Sequence, residues 1–232
     1  MRFRARDGGL KPASSTGNIR FSRSAHIAVR VESVRMGRLT PAAIGFRVHS
    51  GWAVVVVVTG SPRAPSVLDR RRIEIADRAI QGSVQPYHFA KELGLKKAES
   101  FLKHCADSSC ALAHAALHKA IDDLGGAHEV VGCGILLGSG RPMTTLEATL
   151  ASHAAIHSAE GELFREALIR ASEQFGLSCQ GVREKELYMV AAAKFGLPSD
   201  DLHRRVNELG KSLGPPWTQD EKGAALVGWL AM

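Results

Sequence analysis

The sequence predicts an α/β protein with a mixed five-stranded sheet that helices cover on both faces. Two observations carry this prediction. Residues 43–60 have the pattern of two strands joined by a tight Ser50-Gly51 turn, and the second strand holds five consecutive valines. β-branched residues favour strands, and a short uninterrupted apolar run is typical of a strand buried on both faces. A third strand follows directly, whereas long helical segments separate the last two strands. This order favours three antiparallel strands followed by α-linked ones.

Turn-forming residues and hydrophobic periodicity predict the remaining elements. The third strand covers residues 67–75, and a helical segment covers 87–124 with a break near Gly94 or Asp107-Ser108. The apolar run 129–137 predicts a fourth strand. Thr144 and Glu147 then have the spacing of a capping box ahead of one long helix that ends near residue 175. We expect a short fifth strand at residues 177–182. Three closing helices should follow, at residues of about 184–195, 199–213 and 220–231.

Positive charge is concentrated at the start of the chain. The formal net charge is +7, yet the first 35 residues hold eight Arg or Lys and only two acids. We expect residues 1–39 to be a flexible basic arm that contacts phosphates, a solvated tail, or a stretch ahead of a true start at Met36. The segment lacks the apolar core of a secretory signal, so a cytoplasmic location is expected. No stretch reaches the roughly 18 apolar residues of a membrane-spanning helix, so no membrane partner is expected.

The second half of the chain resembles the bacterial Holliday-junction resolvases in the order and spacing of its segments. The matching pieces are GELFREALIRASEQFGLSC, GVREKELYMVAAAKFG, LHRRVNELG and WTQDEKGAALVGWLA. The opening, Gly45-Phe46-Arg47 followed by Gly51-Trp52, is similar to that of ribonuclease H-like nucleases that begin G-x-D. The resemblance implies a single ribonuclease H-like domain over residues 40–232 and a nucleic acid as partner.

Departures from the family's pattern concern its catalytic acids. The resemblance implies clustered carboxylates that hold two divalent metals, Mg²⁺ or Mn²⁺, at a phosphate. The first acid should fall near Arg47 and the fourth-strand acid near 138–141, and neither place carries an acid. The last helix keeps Asp220 and Glu221, but Lys222 stands near the place of the second acid. Two cations therefore stand where the family holds metals.

Three polar side chains lie on one face of the long helix. His153, His157 and Glu160 are spaced i, i+4 and i+7, so they share a helical stripe. Two histidines and a carboxylate are suitable ligands for Zn²⁺ or another transition metal, which makes His153 and His157 the predicted metal ligands. A polar ligand cleft and structural hydrogen bonding explain the same spacing, because buried polar groups need partners.

Two functions are consistent with these residues. The first is a non-catalytic or divergent binder of nucleic acid or of another anionic ligand, which four side chains would hold: Arg47, His49, Arg165 and Lys222. The alternative is a divergent metal-dependent nuclease that uses a divalent metal and four catalytic carboxylates: Glu160, Glu162, Asp220 and Glu221. Both hypotheses expect these side chains to converge in one cleft, with Glu160 or Glu162 paired with Arg47 or Lys222.

Overall fold

A single mixed sheet forms the centre of the part of the chain that the structure describes. The structure, a computed structural model, describes residues 39–61, 63–140 and 145–232. The strands are β1 Thr40–His49, β2 Trp52–Ser61, β3 Ala64–Glu74, β4 His128–Leu137 and β5 Cys179–Arg183. Their order in the sheet is β3-β2-β1-β4-β5. The first three strands pair antiparallel, whereas β4 and β5 join in parallel. The predicted mixed sheet, with three antiparallel strands followed by two parallel ones, is therefore confirmed. Residues 1–38 of the predicted basic arm lie outside the described residues.

Seven helices accompany the sheet in the described part of the chain. They are α1 Pro86–Lys91, α2 Leu95–Asp122, α3 Leu146–Ala151, α4 His153–Gln174, α5 Leu187–Phe195, α6 Ser199–Leu209 and α7 Gln219–Leu230. Short 3₁₀ turns at Glu184–Glu186 and Gly210–Ser212 precede α5 and follow α6. None of these helices is long and apolar enough to cross a membrane.

Two of the predicted helices are broken, and both breaks have a local cause. Gly94 adopts an extended conformation and ends the first run, so α1 and α2 are separate, while α2 continues without interruption past Asp107. Ser152 is also extended, and its side chain caps α4 by accepting a hydrogen bond from the backbone N–H of Ala155. The long helix after β4 is therefore α3 plus α4. Thr145 caps α3, and the predicted cap Thr144 lies outside the described residues.

Alternating side chains of β2 enter two separate layers of the core. Val55 and Val57 pack against α2 and α4, and the other three valines pack against α5, α6 and α7. All five valines are buried, which confirms that helices cover this strand on both faces. The middle strand of the sheet is β1 rather than β2.

Helix α7 lies directly on the backbone of β1 and β4. A Cβ atom at Gly45 would lie 1.8 Å from the carbonyl oxygen of Ala224, and one at Gly134 would lie 2.1 Å from that of Val227. Only glycine permits so close an approach of helix to strand. Because Gly132 faces the end of α7 at Ala231, α7 runs antiparallel to β4. Its first turn is therefore placed at the carboxyl edge of the parallel strands.

Candidate functional site

Four polar side chains meet at the carboxyl edge of the sheet, and we call Arg47, His49, Glu184 and Asp220 the edge cluster. Arg47 Nη1 lies 2.8 Å from Glu184 Oε2, and Arg47 Nε donates to Asp220 Oδ1 at 3.3 Å. His49 Nε2 lies 3.0 Å from Asp220 Oδ2. Successive strand residues point to opposite faces. Phe46 and Val48 face α2 and α4, so Arg47 and His49 point toward α7.

Aromatic stacking aligns His49 within the edge cluster. Its ring stacks on that of Trp52 at a centroid distance of 4.0 Å, and the guanidinium carbon of Arg72 lies 3.9 Å from the Trp52 centroid. The buried Nε2 atom of His49 approaches Asp220 without the geometry of a hydrogen bond. Stacking on Trp52, rather than the contact with Asp220, therefore sets the orientation of the His49 ring. Arg72, Trp52 and His49 form a row that extends from the edge cluster to β3.

The edge cluster does not fit the two divalent metals that the family resemblance implies. Each of its acids already has a guanidinium nitrogen within 3.3 Å. The guanidinium group is a cation with no acceptor atoms, so a metal ion near both acids would meet a fixed positive charge. Mg²⁺ also requires near-octahedral oxygen ligands, and two occupied carboxylates do not provide them. Arg47 supplies the positive charge that faces both acids.

The predicted catalytic residue Glu221 takes part in a capping box at the start of α7. Glu221 is buried, and its Oε2 atom accepts hydrogen bonds from the backbone N–H of Thr218 at 2.7 Å and from the Thr218 hydroxyl at 2.5 Å. The Thr218 side chain in turn accepts from the backbone N–H of Asp220. This reciprocal capping box satisfies the free N–H groups at the start of α7. Of the two acids in the first turn of α7, Asp220 is therefore the one that belongs to the edge cluster.

The other two predicted catalytic acids have partners on α1 and α4. Glu160 Oε1 accepts from the backbone N–H of His88 at 3.1 Å and lies 2.9 Å from His88 Nδ1. Glu162 accepts from Arg165 Nη2 at 2.9 Å. The pairing of Glu160 or Glu162 with the cations near β1 is therefore a wrong prediction.

The physical reason is the alternation of side chains across the sheet. Helix α4 packs against one face and α7 against the other, and Arg47 points to the α7 face. The predicted ligand-binding residue Arg165 lies on α4, so the sheet separates it from Arg47 as well. Lys222 lies on the first turn of α7 and forms no ion pair with any residue that the structure describes. The predicted site residues thus form two groups rather than one cleft.

A cleft of about 490 Å³ lies where β4 ends, on the α4 side. Its polar lining includes Tyr87, Glu162, Arg165 and Arg183, and Gly138 also lines it. Burial, with the nearby charge of Glu160, raises the pKa of the Tyr87 hydroxyl. A smaller cleft of about 220 Å³ shares Gly138 and Arg183 with the first and adds Lys185. The carboxyl ends of β4 and β5 therefore carry two adjoining concave surfaces with cationic side chains.

The histidine pair predicted on α4 is joined by a third histidine. His153 Nε2 and His157 Nε2 lie 3.1 Å apart, and one ring nitrogen of His88 lies within 4.8 Å of both. Sequence reasoning missed His88 and Glu184. Each belongs to a different element from the residues it meets, and no periodicity links them. A weak signal for His88 is its place two residues after Pro86, which starts α1.

No family model matches the sequence, and no curated protein matches it. Among solved structures, the chain is similar to RuvC of Thermus thermophilus at 9% identity and a TM-score of 0.48, covering 81% of this chain and 91% of that one. It is also similar to T. thermophilus RuvC in complex with a Holliday junction substrate, at 11% identity and a TM-score of 0.44, covering 83% of this chain and 91% of that one. A Ppx/GppA family member from Aquifex aeolicus matches at 13% identity and a TM-score of 0.31, covering 66% and 39%. All three similarities are distant.

Proposed function

We propose that this chain is a non-catalytic ribonuclease H-like protein that binds nucleic acid through phosphate contacts at the carboxyl edge of its sheet. One observation carries the proposal: the guanidinium of Arg47 lies between Glu184 and Asp220. Two-metal nucleases need open metal positions that clamp the attacking and leaving oxygens. A fixed guanidinium neutralises the acids and offers no such position, so the edge is suited to binding rather than hydrolysis.

Cations without strong partners lie around this edge. Among the described residues Lys185 and Lys222 form no ion pair, and the nearest acid to Arg183 is Glu186 at 3.9 Å. Lys185 and Arg183 are exposed and line the smaller cleft. Lysine and arginine contact phosphates in most nucleic-acid complexes, where they position the ligand without reading its sequence. A ligand with several phosphates therefore fits these separated charges better than a single small anion.

Binding is tested with the full chain and fluorescently labelled DNA, one four-way branched and one single-stranded, by anisotropy between 50 and 200 mM salt. The Arg183→Ala/Lys185→Ala variant is expected to bind more weakly. For each phosphate that it no longer neutralises, the slope of its salt dependence should fall by about 0.9 on the branched DNA and by about 0.7 on the single strand. The control variant Lys96→Ala/Lys97→Ala removes the same charge from exposed positions on α2 and should leave the slope unchanged. Equal losses of affinity in the two variants would contradict binding at the carboxyl edge.

Catalysis is tested separately with the same DNA molecules and Mg²⁺ or Mn²⁺. We expect no cleavage. Metal-dependent cleavage that disappears in the Asp220→Asn variant would overturn the proposal and establish the divergent nuclease instead. Asp220 is the decisive residue because it is the acid of α7 that contacts Arg47 and His49 in the edge cluster.

A further inference from the structure

We infer that His88, His153 and His157 form a binding site for a divalent transition metal of the Zn²⁺ type, which joins α1 to α4. One ring nitrogen from each histidine lies within 4.8 Å of the others. The site lies on the α4 face of the sheet, away from the edge cluster, and takes a different class of ion from the magnesium of two-metal nucleases. It is independent of the proposed nucleic-acid binding.

The distances suit a tetrahedral ion. Zn–N bonds of 2.0–2.1 Å at tetrahedral angles hold ligand nitrogens about 3.3 Å apart. His153 Nε2 and His157 Nε2 already lie 3.1 Å apart. The ring nitrogen of His88 lies at most 4.8 Å from the other two. It therefore has to approach them by at most about 1.5 Å to reach the tetrahedral spacing. His153 and His157 are exposed, so their rings can rotate toward His88 without moving the core.

Local structure places the two α4 ligands on successive turns. Ser152 caps the helix, so α4 begins at His153, and His157 follows one turn later on the same face. His88 comes from α1, which gives the ion ligands from two elements. This distinguishes the cluster from a helical histidine pair, which cannot by itself surround an ion.

A buried carboxylate supports the third ligand. Glu160 is 1% exposed and accepts from the backbone N–H of His88 at 3.1 Å and from its Nδ1–H at 2.9 Å. With Nδ1 as donor, the lone pair of His88 Nε2 is free for a metal. Metal-bound histidines commonly donate their other ring N–H to a carboxylate, which orients the ring and raises its basicity.

The same carboxylate needs positive charge. Among the described residues His88 is its only ion-pair partner, and burying a carboxylate without a compensating charge is costly. A divalent ion on His88 supplies that charge through the imidazole. Glu160 is thus a positioning residue for His88, and its burial is explained by the metal site.

The ligand set selects the ion. Three neutral imidazoles suit Zn²⁺, Ni²⁺ or Cu²⁺, whereas Mg²⁺ and Mn²⁺ prefer carboxylate and carbonyl oxygens. Three histidines also leave a fourth tetrahedral position for water, as in open zinc sites. Because the ion binds groups from α1 and α4 together, it favours the folded state over the unfolded one.

The test is titration of the tag-free full chain with Zn²⁺ by calorimetry, with Co²⁺ absorption as an independent report on coordination. We expect one ion per chain, a tetrahedral Co²⁺ spectrum and a higher thermal unfolding temperature with Zn²⁺. The variants His88→Ala, His153→Ala and His157→Ala should each lower the affinity at least about tenfold, and Glu160→Gln should weaken binding about 10–100-fold. His153 and His157 are exposed, so their variants should fold like the parent chain by circular dichroism.

The matched control is His118→Ala. His114 and His118 form the same i, i+4 pair on α2, but their ring centroids lie 6.5 Å apart and His118 is bound to Asp122. This variant should bind Zn²⁺ as the parent chain does. The absence of stoichiometric binding would overturn the inference. So would full affinity in His153→Ala, or an equal loss in His118→Ala, which would indicate scattered surface chelation.

Discussion

The substitution Gly45→Ala tests the contact that places α7, and with it Asp220, at the carboxyl edge. The added Cβ would lie 1.8 Å from the carbonyl oxygen of Ala224 and 2.7 Å from the backbone nitrogen of Gly228, where ordinary contacts begin at 3.4 Å. Both obstacles are backbone atoms of a buried helix, so no side chain can rotate away. The helix or the middle strand has to move by about 1.6 Å, a shift that a close-packed interior resists.

Overpacking of a core costs about 1–3 kcal/mol and occasionally more. Because only backbone can yield here, we expect a loss of about 3 kcal/mol or more in the free energy of unfolding. For a chain of this size, that loss lowers the unfolding temperature by about 6–12 °C. Urea unfolding followed by circular dichroism measures the first quantity, and a thermal scan measures the second.

Gly94→Ala is the matched control for this experiment. No atom lies within 4 Å of a Cβ at Gly94, and its φ of −59° suits alanine. Because Gly94 is the N-cap of α2 and alanine is a poorer cap than glycine, we expect a loss below about 1 kcal/mol. If Gly45→Ala were as stable as Gly94→Ala, the close approach of α7 to the sheet would be refuted.

Three further predictions concern the core, a helix cap and the cysteines. Phe164→Ala removes a fully buried ring and should cost about 3–5 kcal/mol in urea unfolding; a loss below about 1 kcal/mol would contradict its place in the core. Thr218→Ala breaks the capping box of α7 and should cost about 1 kcal/mol in the same assay, whereas an unchanged midpoint would show that the cap contributes nothing. Burial raises the pKa of Cys133 to about 11 and that of Cys179 to about 12, so iodoacetamide at pH 8 should leave both thiols intact until urea is added. Mass spectrometry counts the adducts, and rapid labelling of the folded chain would oppose this reasoning.

Much of the fold was predictable because its signals are local. The five valines of β2 indicate a strand covered on both faces, and the apolar run before Gly138 indicates β4. The breaks at Gly94 and Ser152 were harder to place, since each depends on one residue leaving helical geometry. A glycine or serine within a helical pattern is compatible with continuation as well as with a cap.

Part of the histidine cluster was also predictable. His153, His157 and Glu160 share a stripe because of the helical period alone, and the structure keeps them on one side of α4. His88 joins them only because α1 docks beside α4, and no spacing along the chain encodes that contact. The capping role of Glu221 has a visible signal, since Thr218 precedes it by three positions.

The sequence by itself determined the kinds of element, their order and the absence of an acid at position 47, because periodicity and residue type act within a few positions of the chain. Only the tertiary structure decided which charges meet. Arg47 reaches Asp220 across 173 positions, while Glu160 is held by α1 on the opposite face. Side chains alternate across a strand, so one sheet divides residues that the sequence suggests as a single site into two.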